Sequence, residues 1–252
     1  MNKLIAGLVV ASGVLGAAVN SAAAQNPTIV LVHGAFADGS SWQKVIPLLR
    51  AQGLGVVAVQ NPLSSLADDV DATRRAIDAV HGPVVLVGHS WGGVVVTEAG
   101  NDPKVTSLVY VAAFAPDDGQ SIASMTAGAP PPAYAPYLRK DSGGYLTLTE
   151  EGVKKDFAQD LPPAEAELVA ITQGPWAAEC IDAKVSHAAW HDKPVIDVVT
   201  ENDRMIPPSL QEEMATAMKA KVVKVASSHV AMLSHPKAVA DAIIAAAKDA
   251  GR

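Results

Sequence analysis

A serine, an aspartate and a histidine stand far apart in this chain, each where an apolar run gives way to a turn. Ser90 lies in Gly88-His89-Ser90-Trp91-Gly92, a G-x-S-x-G pattern with VVLV before it and VVVTEAG after it. Asp203 lies in VVTENDRMIPP and His229 in VVKVASSHVAMLSHP. A serine hydroxyl is a weak nucleophile at neutral pH. It needs a base to take its proton, and the base needs an acid to orient it. The order Ser90, Asp203, His229 supplies nucleophile, acid and base, each expected at a strand end. Acyl transfer also needs donors for an oxyanion. The Trp91 N–H follows the nucleophile directly. A second donor is expected in VLVHGAFADGSSW, from the N–H of Ala35, with Phe36 as the alternative.

Competitors exist for each role. Glu201 sits at the edge of the same apolar run as Asp203, and Asp197 lies inside it; Asp203 is better placed to leave a sheet and turn back. His235 precedes Pro236 and fits a helix cap, whereas His229 is nearer the strand end. His89 should point away from the serine into packing, and His33 should brace its own loop. Cys180, the single cysteine, sits in AAECIDA with no neighbouring histidine and reads as an inert helix residue. His187 and His191, four apart with Asp192 adjacent, could chelate a metal on a helix, but no third ligand with zinc spacing follows, so no metal is expected. There is no dinucleotide fingerprint or phosphate loop, and no cofactor is expected.

These side chains need a scaffold. Thr28–Val32, Gly55–Val59, Val84–Gly88, Val105–Ala112, Val195–Thr200 and Val222–Ala226 are short, nearly unalternating apolar runs, the pattern of strands covered on both faces. Helical stretches lie between them: Trp42–Ala51, Leu66–Val80, Trp91–Gly100, Ser209–Lys219 and Pro236–Asp249. Alternation of this kind predicts an α/β fold, a mostly parallel sheet of six or more strands with helices on both faces. The rhythm breaks between Pro116 and about Lys193. That length needs structure of its own, and a helical cap inserted after the fourth strand is expected over about 116–193.

The first 24 residues carry Lys3, an apolar run from Leu4 to Val19 and the triplet Ala22-Ala23-Ala24 before Gln25. They read as a signal peptide cleaved after Ala24, giving a mature domain over 25–252 that is periplasmic or secreted. The run is short for a membrane span and is interrupted by Ser12, Gly13 and Gly16. The net charge of −7 becomes more negative once Lys3 is lost, which argues against nucleic acid as a partner. No membrane association of the mature form is expected, and the oligomeric state is left open.

VLVHGAFADGSSW, GHSWGG, AAFAPDDGQS, ENDRMIPP and SHVAMLSHP together resemble the α/β-hydrolase superfamily over nearly the whole mature chain. Within it the chain is most similar to small bacterial esterase-like hydrolases related to the plant methylesterase and hydroxynitrile lyase group. The resemblance implies an α/β-hydrolase fold, a serine carboxylesterase acting on a small-molecule ester, and a cap over the site. It makes Phe36, Phe114 and Trp176 candidates for an apolar substrate pocket, with Tyr134, Tyr137 and Trp190 behind them. Lyase members place a threonine where this chain has Gly34 and a lysine where it has Val230. An uncharged valine cannot stabilise departing cyanide, so hydrolysis is favoured. A serine at the elbow argues against dehalogenase and epoxide hydrolase chemistry, which use an aspartate there. Two alternatives stand: hydrolysis or perhydrolysis of lactones and other acyl compounds, and ligand binding without turnover.

Overall fold

The computed structural model describes residues 26–250. The expected signal peptide lies outside the described residues. Six strands form the main sheet: β1 (Thr28–Val32), β2 (Gly55–Val59), β3 (Val84–His89), β4 (Val105–Val111), β8 (Val195–Thr200) and β9 (Lys221–Val225), in the order β2-β1-β3-β4-β8-β9. Every pairing is parallel. Successive residues along β1, β3 and β4 are fully buried, so both faces of these strands must be covered. Helices α1 (Ile46–Arg50) and α9 (Pro236–Ala250) touch each other, and α9 lies against β3, β4 and β8. Helices α2 (Leu66–Asp78) and α3 (Trp91–Ala99) pack together beside β1 and β3, while α7 (Pro208–Ala217) follows β8 and packs on it. Strand β9 is an edge and reads differently: Lys221 and Lys224 are exposed there, which blunts the open side of the sheet.

Two sequence expectations shift. The helix expected from Trp42 divides into a 3-10 turn over Gly39–Trp42 and then α1. Pro47 falls in the first turn of α1, where its missing N–H costs nothing, and the continuous helix cannot run through it from upstream. The insert between β4 and β8 is not helices alone. It holds α4 (Ile122–Met125), α5 (Glu150–Gly152), α6 (Pro163–Thr172) and a small antiparallel sheet of β5 (Leu138–Lys140), β6 (Tyr145–Leu148) and β7 (Trp176–Ala177) in the order β5-β6-β7. The Asp141 side chain closes the β5–β6 hairpin by accepting from the N–H groups of Gly143 and Tyr145. Strands of two to four residues leave no readable period in a sequence, which is why this sheet was hidden. The short helix α8 (Ala231–Ser234) completes the set, and no helix among the described residues is long and apolar enough to cross a membrane.

Candidate active site

Ser90 sits on the tight turn between β3 and α3 with φ 54° and ψ −121°. A serine in this region is strained, and the surroundings hold it there. The Ser90 N–H donates to Val111 O at 3.3 Å, and its carbonyl accepts from Gly93 at 2.9 Å and Phe114 at 3.2 Å. The flanking glycines permit the crossing. A Cβ at Gly88 would lie 2.5 Å from Gly92 O, and one at Gly92 would lie 2.5 Å from Val32 O. Neither contact is with a flexible side chain, so neither could be relieved cheaply.

Asp203 lies three residues beyond β8 and is buried. Its Oδ1 accepts from the N–H groups of Met205 (2.8 Å) and Ile206 (3.0 Å). Its Oδ2 accepts from Thr200 Oγ1 (2.9 Å), Gln211 Nε2 (2.9 Å) and His229 Nδ1 (2.8 Å). Five donors fix the carboxylate. Of the competing acids, Glu201 is exposed and Asp197 stays within β8. His229 follows β9 and is fully buried. With Nδ1–H given to Asp203, its Nε2 carries the lone pair, and that atom has no hydrogen-bond partner among the described residues. The Ser90 hydroxyl makes no hydrogen bond with a protein group there either, and such contacts commonly tighten only when substrate binds. The link between the two residues is His89. Its Nε2–H donates to His229 O at 3.0 Å, and the two rings lie 4.7 Å apart. Complete burial holds His89 neutral, well below the usual histidine range, with the nearby His229 adding to the effect.

Trp91 follows Ser90 directly, and Ala35 follows Gly34 in the loop after β1. Trp91 opens α3, so its N–H has no acceptor within the helix. Gly34 packs against Ser90: a Cβ there would meet Ser90 Cβ at 2.7 Å. His33 braces this loop. It donates from Nδ1 to Gly34 O at 2.9 Å and accepts from the Asn61 N–H at Nε2, also at 2.9 Å. Burial lowers its pKa below the ordinary histidine value.

The expected pocket aromatics divide. Phe36 and Trp176 are in edge contact, 5.9 Å between centroids, and Trp176 lies 5.4 Å from Trp91. Phe114 is half-buried beside the elbow and donates its N–H to it. Trp190 is held away, its indole donating to Pro116 O at 3.0 Å and its ring resting on His191. A cavity of about 540 Å³ lies between the first loop, α6 and the histidine loop, lined by Ala37, Ser41, Phe157, Val169, Val230 and Met232 among others. None of Phe36, Phe114 and Trp176 lines it.

Four residues of this neighbourhood escaped the sequence reading. Phe157, the one aromatic in KKDFAQD, is buried with its ring 5.1 Å from His229 and 6.4 Å from Phe36. Asp160 accepts from the Ser228 N–H at 2.9 Å, and Gln159 Nε2 donates to Asn202 O at 2.7 Å. One dipeptide of the insert therefore clasps both the histidine loop and the acid loop. Asp69, in the first turn of α2, is fully buried. It accepts from Leu63 N–H and from Trp91 Nε1, each at 2.7 Å. Burial pushes its pKa up to about 6, against the pull of those donors. Cys180 lies in a 3-10 turn rather than a helix, is fully buried, and has its thiol pushed up to about 12, chiefly by burial. That disfavours the reactive thiolate.

Residues 29–242 match the model of the alpha/beta hydrolase family. An α/β hydrolase of Aspergillus novofumigatus is 26% identical over 246 residues, covering 89% of this chain and 98% of that one. Methylesterase 1 of Arabidopsis thaliana is 26% identical over 247 residues, covering 84% and 92%. Among solved structures, a pyrethroid hydrolase from Sphingobium faniae JZ-2 superposes with a TM-score of 0.76 at 22% identity, covering 88% of this chain and 97% of its own, a likeness of fold. With a six-stranded parallel sheet, a strained serine at the β3–α3 turn and a family match across most of its length, this chain belongs to the α/β-hydrolase family.

Proposed function

We propose that the protein is a serine hydrolase that cleaves carboxylic esters of small molecules through an acyl-enzyme. The observation that carries this reading is the buried His229–Asp203 pair, whose free Nε2 lies in a loop tied by His89 to the Ser90 elbow. Ser90 Oγ attacks the ester carbonyl while His229 Nε2 takes its proton. Asp203 holds the ring in the Nδ1–H tautomer and stabilises the cation that forms. The developing oxyanion meets the N–H groups of Ala35 and Trp91, the latter at a helix N-terminus where the dipole favours negative charge. His229 then protonates the departing alkoxide. Water, deprotonated by the same nitrogen, releases the acid.

The insert acts as a cap in this reading. The cavity beside Phe157 and Val230 has the size of small-molecule sites and a lining that is half polar, with Asp38, Lys44 and Glu165 among it; Ser90 and His229 do not line it. Phe36 and Trp176 form an aromatic wall nearer Trp91. Val230 gives no cation to hold cyanide, which favours hydrolysis over lyase chemistry. That relatives include a protein named methylesterase accords with an ester substrate.

The test is Ser90→Ala. Turnover of p-nitrophenyl acetate should fall on the order of 10⁴-fold or more, with the melting temperature kept and fluorophosphonate labelling lost. Parent-like hydrolysis by this variant sinks the assignment. A panel of esters and lactones with product identification separates the ester reading from lactone hydrolysis. Export is proposed with it: a mature chain from the periplasm or medium should begin at Gln25, as N-terminal sequencing would read.

A further inference from the structure

The cavity of about 540 Å³ has two unlike ends. Its buried lining is apolar at Ala37, Phe157, Val230, Met232 and Leu233, with Ser41 the exception. Most of its more exposed lining is polar, with Gln43 and the Lys44–Glu165 pair among it. The apolar end adjoins the loops that carry the proposed chemistry: Ala37 follows Phe36, and Val230 follows His229. Phe157 is the one aromatic residue of the lining. Its ring centroid lies 5.1 Å from that of His229, 6.4 Å from Phe36 and 6.5 Å from His89. The cavity therefore comes within one side chain of His229. Phe157 also ends a π-helical turn, Val153–Phe157, a winding that is rare in proteins and frequent at functional sites.

We infer that this cavity is the leaving-group subsite, and that the substrates are esters of bulky alcohols, apolar next to the ester oxygen and carrying a hydrogen-bonding group further out. The inference rests on the ester-cleaving reading. In that chemistry the departing alkoxide takes its proton from His229 Nε2, so the alcohol half lies on the histidine side while the carbonyl oxygen faces the Trp91 N–H. The empty volume on the histidine side is this cavity. It has the size of a small-molecule site, and the methyl of a methyl ester would leave it unfilled. Phe157 is the partition between the cavity and the base. Tightening of its π turn to ordinary α winding would rotate residue 157 about the helix axis and draw the ring off His229. The alcohol's apolar part then meets Val230 and Met232, and its outer part meets Gln43 and the Lys44–Glu165 pair.

Methyl, benzyl and naphthylmethyl acetates share one acyl half, and their alcohols differ little in acidity, so their relative rates read the subsite. For the parent, kcat/KM should rise about tenfold or more from methyl to benzyl acetate, the discrimination an apolar pocket gives. Val169 lines the cavity from α6, a helix in which only Ala166 is buried. Val169→Trp should fill the cavity and lower the benzyl-to-methyl ratio about tenfold. The ratio of methyl hexanoate to methyl acetate, which probes the acyl half, should stay where it is. Thr172→Trp, at an exposed position of the lining, gives the same reading if Val169→Trp fails to fold. Phe157→Leu should carry the preference on to naphthylmethyl acetate. A parent with no preference for benzyl over methyl acetate overturns the inference, and so do filling variants that shift the hexanoate ratio instead. Turnover of p-nitrophenyl acetate and fluorophosphonate labelling of Ser90 in the same parent would leave the ester-cleaving reading standing. A parent that shows neither sinks both.

Discussion

Asp69 reaches the first residue of α3 through one indole. Its carboxylate accepts from Leu63 N–H and Trp91 Nε1, and so ties the loop before α2 to the first residue of α3. An amide at this position can accept through its oxygen but must present N–H groups where one of those donors now points. Asp69→Asn should therefore leave one buried donor unsatisfied, at about 1–3 kcal/mol. The expected outcome is a lower melting temperature and a kcat several-fold below the parent, with KM little changed, because in the proposed mechanism the Trp91 N–H is used most in the transition state. Steady-state kinetics beside thermal unfolding checks this. An unchanged kcat would assign Asp69 to folding alone.

At the scale of elements, the insert does more than cover the sheet. Asp160 and Gln159 follow the turn that carries Phe157, and they hold the two loops that supply His229 and Asp203. Lys44 and Glu165 pair at 2.5 Å from opposite sides of the cavity, the first from the loop before α1 and the second from α6. That pair is partly exposed and adds little stability by itself. Asp160 is different, because it bonds to backbone beside His229. Asp160→Ala should free the Ser228 N–H and let the histidine loop sample other positions. We expect kcat to fall about tenfold, as misplacement of a catalytic group by a fraction of an ångström costs that much or more, with KM nearly unchanged. Asp160→Asn, which keeps an acceptor, should restore most of the loss. Pre-steady-state kinetics with p-nitrophenyl acetate would place the defect in acylation.

For the whole molecule, the sheet interior holds one acid that the proposed chemistry does not use. Asp197 on β8 is buried in register with Tyr110 of β4 and Val222 of β9. Burial pushes its pKa up to about 8. Tyr110, hydrogen-bonded to Thr97 at 2.8 Å, is likewise pushed up by burial. A folded-state value above the unfolded one means that folding favours the protonated acid. The associated stability is fully present below the ordinary carboxylate pKa and is lost as pH rises through about 8. Asp197→Asn mimics the protonated form. Its melting temperature should match the parent near pH 4 and exceed it increasingly up to pH 8, by at most about 1.4 kcal/mol per pH unit. Thermal melts across that range would show the gap; a constant difference would mean that Asp197 does not titrate.

The residues along the chain determined the repeating unit and the elbow. Apolar runs of five to seven residues next to amphipathic helices leave few solutions besides a parallel sheet, and all six predicted strands occupy places in it. Glycines on both sides of Ser90 mark a turn where backbones cross, a constraint written locally. The place of Asp203 was legible for a similar reason, since it leaves the end of a strand and Asp197 does not. The insert was not legible, because its strands are too short to show a period and its contacts join distant positions. Phe157 against His229, Asp160 under Ser228, Asp69 beneath Trp91 and Asp117 beside His191 are separated by 22 to 74 residues where their bonds are measured. No propensity or spacing rule encodes such pairs. They exist because the sheet brings the ends of its strands to one edge and the insert then folds back over that edge, and only the packed chain decides which side chains meet there.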